Sequence, residues 1–321
     1  MIEIDELSLI KLVEEIKPKL VLVVCPSGIR LECIKIISNF SKKYGFNAIF
    51  LGESCYGICD LAESEASFLQ VDLVLHVGHN STLRRAGKMT YFIEAYDNTS
   101  LIPVVEKALP LIKEFKNIGL CTIGPHLKRL DEVQNYLQKQ GFSVYVGDST
   151  PPLRKGQIFG CNYSTCKTIE QFVDVFLFIG SSRFHAIGLY NLLGKPVLVL
   201  DPHTKEIFSI EKDALKVQKH LLFNFYKAID AKNIGVIIGL KEGQYNISAA
   251  LELYRELNSL GKNVYLIAMK EISNEKLNEF QNIDAFIETA CPRISEDFFD
   301  KPVLSLQYGY KLIEYLKGQK I

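Results

Sequence analysis

The sequence has no excess charge of either sign. Lysine and arginine together number 37, and so do aspartate and glutamate. That balance removes bulk attraction to nucleic acid or to an anionic membrane, and neither is expected as a partner. No apolar run approaches the length of a membrane span. The opening stretch, MIEIDELSLIKLVEEIKPKL, mixes acidic residues with helical periodicity. It has neither the basic n-region nor the small-residue cleavage site of a signal peptide. A cytoplasmic chain is therefore expected, in a compartment where stable disulfides are rare. Cysteine, by contrast, is not scarce: Cys25, Cys33, Cys55, Cys59, Cys121, Cys161, Cys166 and Cys291 need another explanation.

Three apolar runs end in glycine-bearing loops: KLVLVVCPSG from Lys19, NIGLCTIGPH from Asn117 and NIGVIIGLKEGQ from Asn233. Each precedes a segment with helical spacing. A second run then starts after Gly45, Gly141 and Gly261, and a third at Val71, Val173 and Ile283. Each third run opens with an aliphatic residue followed by Asp72, Asp174 or Asp284. A fourth, shorter run reads LIPVVEK from Leu101, KPVLVLDP from Lys195 and KPVLSLQY from Lys301. Short apolar runs without alternation, separated by amphipathic segments, predict buried parallel strands crossed by helices. The expected fold is α/β: three similar domains from an internal triplication, each a small, mostly parallel sheet flanked by helices. The expected domains are residues 1–112, 113–230 and 231–321. The competing reading is one large doubly wound sheet.

Ligands of open α/β sheets gather at the carboxyl ends of the strands. Cys55 and Cys59, in GESCYGICDL, follow the second strand of the first repeat. Cys161 and Cys166, in GQIFGCNYSTCK, lie between the second and third strands of the second, and Cys291, in TACPRIS, ends the third strand of the third. Cys25, Cys33 and Cys121 read as small buried hydrophobes. Two local pairs would suit structural zinc, whereas one thiolate from each of three loops would suit an iron–sulfur cluster with one iron open. Spacing alone leaves both open, along with no metal.

The segments YGICD, KGQIFGCN, FIGSSRFH, GKPVLVLDP and TACPRIS, in this order, resemble the archaeal diphthamide synthase family along nearly the whole chain. The resemblance implies a [4Fe-4S] cluster at a central site, with ligands Cys59, Cys161 and Cys291, and it makes bystanders of Cys55 and Cys166. It implies S-adenosylmethionine as substrate, cleaved through a 3-amino-3-carboxypropyl radical. That group would pass to C2 of a histidine on translation elongation factor 2, leaving 5'-methylthioadenosine. An external electron donor and a homodimer are also implied. The CxxxCxxC loop of the common radical enzymes is absent, since Cys55-x-x-x-Cys59 continues as DLAESE. This agrees with the unusual bond cleavage. The chain departs from the family pattern at Ser181, Ser182 and Ala186, around Arg183, Phe184 and His185, so that loop's role is open. Candidate S-adenosylmethionine contacts are Gly239 and Gln244, Arg293, and the His76–His79 segment. The rivals are a quinolinate synthase-like dehydratase or condensing enzyme, similarly built around a cluster, and a non-catalytic small-molecule-binding or scaffold protein.

Overall fold

The computed structural model describes residues 2–319. It divides into two compact units, one ending at Lys212 and one beginning at Asp213. The first unit holds two five-stranded sheets and a two-stranded one in which Ile2–Ile4 pairs with Ala95–Asp97. One five-stranded sheet is built on strands β1 (Leu20–Val24), β2 (Asn47–Phe50), β3 (Leu73–Val77) and β4 (Thr90–Ile93). The other is built on β5 (Asn117–Thr122), β6 (Ser143–Val146), β7 (Val175–Ile179) and β8 (Val197–Leu200). The second unit holds β9 (Asn233–Gly239), β10 (Asn263–Met269), β11 (Ala285–Glu288) and β12 (Val303–Ser305). In each of these sheets the second strand lies at the edge, followed by the first, third and fourth, all parallel. A short antiparallel strand is added beside β4 (Arg85–Ala86) and beside β8 (Ile207–Ser209). The architecture is α/β, with mostly parallel sheets flanked by helices.

The recurring aspartate has a definite task. Asp72 Oδ2 accepts from the backbone N–H groups of Lys19 (2.6 Å) and Leu20 (2.8 Å). Asp174 Oδ2 does the same for Lys116 (3.1 Å) and Asn117 (2.8 Å), and Asp284 Oδ2 for Lys232 (3.0 Å) and Asn233 (2.8 Å). The first and third strands are parallel neighbours, so a carboxylate just before the third reaches the amino end of the first. There it satisfies two donors, one of which the edge of the ladder would leave without a partner. The Lys-Pro-Val openings also recur in role. Lys195 Nζ donates to Val173 O (3.0 Å) and Lys301 Nζ to Phe280 O (2.8 Å), while Pro196 O and Pro302 O accept from Phe176 and Phe286.

The fourth run of the first repeat is not a strand. LIPVVEK lies in the helix Ile102–Ile112, and the fourth strand is Thr90–Ile93. Leu101, Val104, Val105, Ala108 and Ile112 are buried on one side, a 3.6-residue period, and Pro103 sits in the first turn, where its missing N–H costs nothing. These side chains pack with Ile118, Leu120 and Leu177 of the second sheet. The helix Glu6–Ile16 likewise contributes Leu9, Leu12 and Val13 to the first core, and Glu211–Asp230 contributes Phe225 and Ala228 to the third. Each core thus takes in the helix preceding its first strand. No helix among the described residues is long and apolar enough to cross a membrane.

Candidate functional site

Cys59 lies in the loop that leaves the carboxyl end of β2. Asp60 closes a turn around it: its Oδ2 accepts from Tyr56 N (2.6 Å), and its own N–H donates to Gly57 O (3.0 Å). Upstream, Arg30 donates to the carbonyls of Gly52 (3.2 Å) and Glu53 (2.8 Å), anchoring the loop start. Cys59 is half-buried, whereas Cys55 is buried and faces two histidines. Its Sγ is 3.4 Å from His76 Nε2 and 3.7 Å from His79 Nδ1, and those two nitrogens are 2.8 Å apart. Burial keeps both imidazoles neutral. It drives His76 well below its ordinary pKa and His79 to about 4, with Asp60 opposing the latter shift. The HVGH segment is therefore engaged with Cys55 and with itself.

Cys161 sits at the tip of a tight reversal. Phe159 N donates to Asn162 O (2.9 Å), Asn162 Oδ1 accepts from Ser164 N (3.0 Å), and Tyr163 Oη donates to Gly160 O (2.7 Å). Gly160 lets the Phe184 ring pack against the backbone, since a Cβ there would lie 2.0 Å from that ring and push it away. The loop is held from behind by Gln157, fully buried, whose Nε2 donates to Asn80 O (2.6 Å) and whose carbonyl accepts from Thr165 Oγ1 (2.6 Å). Asn80 in turn donates to the carbonyls of Ala95 and Gly124 (both 2.9 Å). This polar knot is fully inside the first unit and ties the two sheets' loops together. Cys166 is buried in the same apolar cluster as Cys121, and burial raises the Cys121 thiol far above its usual range. In the neighbouring helix Arg183–Leu193, Arg183 stacks over Phe208 (4.0 Å) and His185 Nδ1 meets Ser182 Oγ (2.8 Å).

Cys291 follows the carboxyl end of β11 in the second unit. Glu288 organises its turn: Oε2 accepts from Ala290 N (2.8 Å) and Cys291 N (2.9 Å). Oε1 is buried with no partner among the described residues. Burial raises this carboxyl to about 8 against the pull of the two N–H groups, so it is largely protonated at neutral pH. Gly239, at the end of β9, passes so close that a Cβ would lie 2.6 Å from Ala290 Cβ and 3.1 Å from Gln244 O. Gly239, Gln244 and the Cys291 turn are therefore adjacent at one sheet edge. Arg293 is buried, and its Nη1 donates to Glu296 Oε1 at 2.6 Å, which makes it a structural ion-pair member as well as a neighbour of Cys291. Burial raises Glu296 to about 7, with Arg293 pulling the other way.

All eight cysteines are described, and none is in a disulfide. Cys25, Cys33, Cys55, Cys121 and Cys166 are buried; Cys59 and Cys291 are half-buried and Cys161 is exposed. The three that are accessible are one per sheet, each in a loop after a strand's carboxyl end. That donor set, thiols presented on hydrogen-bonded turns, suits thiolate ligation of a cluster. In each local pair one member is buried, Cys55 against two histidines and Cys166 in an apolar cluster.

Residues 25–309 match the model of the putative diphthamide synthesis protein family. The chain belongs to the diphthamide synthesis family. It is 32% identical to the 2-(3-amino-3-carboxypropyl)histidine synthase of Pyrococcus horikoshii, over 99% of this chain and 95% of that one. It is 25% identical to subunit 1 of the same-named enzyme of Kluyveromyces lactis, over 90% of this chain and 70% of that one. The crystal structure of Dph2 from Pyrococcus horikoshii with a 4Fe-4S cluster superposes with a TM-score of 0.87 at 31% identity, covering 98% of this chain and 92% of that one. For this family member, sequence reasoning passed over Asp60, Asn162, Gln157 and Glu288, which shape the cysteine turns. Two of them stand in plain view as the acid after Cys59 and the acid three residues before Cys291.

Proposed function

We propose that this protein transfers the 3-amino-3-carboxypropyl group of S-adenosylmethionine to C2 of a histidine on translation elongation factor 2, as the first step of diphthamide biosynthesis. The observation that carries the reading is the full-length likeness to a named synthase, joined to three accessible cysteines on three sheet-edge turns. In this reading Cys59, Cys161 and Cys291 hold one [4Fe-4S] cluster. When bound and reduced, the cluster supplies the electron that cleaves a carbon–sulfur bond of the sulfonium, by a radical route. The protein's part is position and electrostatics. Asp60 and Glu288 hold two of the cysteine turns in shape. Gly239 lets the backbone at β9 approach closely, and Gln244 and Arg293 lie beside the Cys291 turn as contacts for the substrate's polar groups. The division into three domains, 1–112, 113–230 and 231–321, is part of the same reading. An external electron donor, a homodimer and a cytoplasmic setting complete it.

The test is anaerobic incubation with a reductant, S-adenosylmethionine and the elongation factor. The expected products are 5'-methylthioadenosine and a histidine peptide heavier by one 3-amino-3-carboxypropyl group. Release of 5'-deoxyadenosine with an unmodified histidine would mean that the other bond is cut, and the proposal would fall.

A further inference from the structure

A second cluster of metal-ligating side chains lies in the first unit, apart from the cysteine turns in chemistry. Asp97 closes the strand Ala95–Asp97, which pairs with Ile2–Ile4. His126 belongs to the short helix Gly124–Arg129 that follows β5, and His203 to the turn that follows β8. Both histidines thus leave carboxyl ends of parallel strands of the second sheet, where open α/β sheets place their ligands. One ligand atom from each of the three residues lies within 4.8 Å of the others. His203 Nε2 is 3.0 Å from Asp97 Oδ2.

Each member is held in place. Asp97 is 6% exposed, and its Oδ1 accepts from Thr99 N (2.9 Å) and Thr99 Oγ1 (2.8 Å), which turns Oδ2 toward the histidines. Burial works against its charge, yet the Thr99 bonds and the two imidazoles keep its carboxyl below the ordinary value. The backbone N–H groups of His203 (2.8 Å) and Thr204 (3.2 Å) both donate to Asp201 Oδ1, so the turn carrying His203 is shaped before any ligand arrives. The His203 side chain is about half exposed, which gives an ion a way in. His126 is the informative member. It is 3% exposed, and its Nδ1 is buried with no partner among the described residues.

The bland reading is an Asp97–His203 ion pair. It accounts for the 3.0 Å contact but leaves a buried imidazole with an unsatisfied nitrogen beside a buried carboxylate, an arrangement that is unfavourable for the unpaired polar atom. A cation bound between the three residues would neutralise the carboxylate and give His126 a ligand role. With metal–nitrogen and metal–oxygen bonds of about 2.0–2.2 Å, adjacent ligand atoms of a four- to six-coordinate ion stand roughly 3.0–3.4 Å apart. The Asp97–His203 separation already has that span. Two imidazoles and one carboxylate are a borderline donor set, suited to zinc or ferrous iron and poorly suited to calcium or magnesium.

We propose that Asp97, His126 and His203 form a mononuclear divalent transition-metal site, filled by zinc, with an open coordination position toward solvent. The experiment uses the cluster-loaded chain, handled without oxygen and titrated with zinc, followed by X-ray absorption at the zinc edge, which iron does not obscure. The expected result is one tightly bound zinc per chain, with nitrogen and oxygen neighbours at about 2.0–2.1 Å and no sulfur at about 2.3 Å. His203→Ala, which removes a half-exposed ligand, should weaken zinc binding by at least about a hundredfold, since even partners one shell further out are worth ten- to a hundredfold. A sulfur shell around the zinc, or wild-type zinc affinity in His203→Ala, would place the zinc on Cys55, His76 and His79 or elsewhere and overturn the proposal. So would failure to bind zinc at micromolar concentration. If His203→Ala does not fold, as judged by circular dichroism, His203→Asn replaces it, and the wild-type absorption spectrum decides independently.

Discussion

The Cys291 turn offers the most direct way to separate positioning from ligation. Glu288 is 1% exposed, and one of its oxygens satisfies two backbone donors, Ala290 N at 2.8 Å and Cys291 N at 2.9 Å. Glu288→Ala takes the shared acceptor away from both donors at once. Ala290 and Cys291 are half-buried, so each stranded N–H costs about 1–2 kcal/mol, toward the lower part of the usual range, and the turn loses about 2–4 kcal/mol. Since 1.4 kcal/mol is tenfold, the open turn becomes roughly 30- to 1,000-fold more populated. If Cys291 is a cluster ligand, iron should be lost to a chelator faster by a similar factor whenever turn opening limits access. Glu288→Gln keeps an acceptor oxygen of the same shape. The native carboxyl, raised to about 8, is already mostly neutral at pH 7, so the amide should cost no more than about 1 kcal/mol. The assay is anaerobic iron release to a chelator, followed by absorbance, with thermal unfolding measured in parallel. Glu288→Ala releasing iron at the wild-type rate would refute the reasoning. So would Glu288→Gln behaving as badly as Glu288→Ala, because then charge and not turn geometry is what matters.

Three further outcomes are expected. Cys59→Ala, Cys161→Ala and Cys291→Ala should each lose the cluster, while Cys55→Ala and Cys166→Ala keep it; iron and sulfide analysis reads this out, and a full cluster in Cys161→Ala would move the assignment to Cys166. Acid should destabilise the first unit through His79. Its folded pKa of about 4 lies below the unfolded value, so the unfolded chain binds the extra proton and stability falls as pH drops from about 6.5 toward 4, by about 2–3 kcal/mol. His76 acts in the same direction. His79→Gln should flatten the pH dependence of the unfolding midpoint, and an unchanged slope would show that the pair is not buried neutral. Asp174→Ala should lower the melting temperature while Asp174→Asn, which keeps an acceptor for Lys116 N and Asn117 N, lowers it less; equal melting of both variants and wild type would remove the pinning role from the repeated aspartate.

The strands, the threefold recurrence and the cysteine-bearing turns were legible in the sequence because they are local patterns. A buried parallel strand is a short apolar run, and Asp72, Asp174 and Asp284 stand at the same place relative to three of them. The motif around each of Cys59, Cys161 and Cys291 is likewise contiguous, so these three could be proposed as ligands without coordinates. LIPVVEK was misread for the same reason: a short apolar run with proline suits an edge strand or a helix start equally. The choice was made by packing, since Leu101, Val104 and Val105 have a core waiting on the second sheet. Tertiary structure alone also put Cys55 against His76 and His79, and sent Cys166 into the core with Cys121. It alone gathered Asp97, His126 and His203. These groupings join residues far apart in the chain through loops at one sheet edge, and no spacing in a linear sequence encodes which of many loops will meet. That is decided by how the flanking helices and each sheet bury their apolar faces against one another, which fixes the loop ends and leaves polar side chains to find partners among whatever is then within reach.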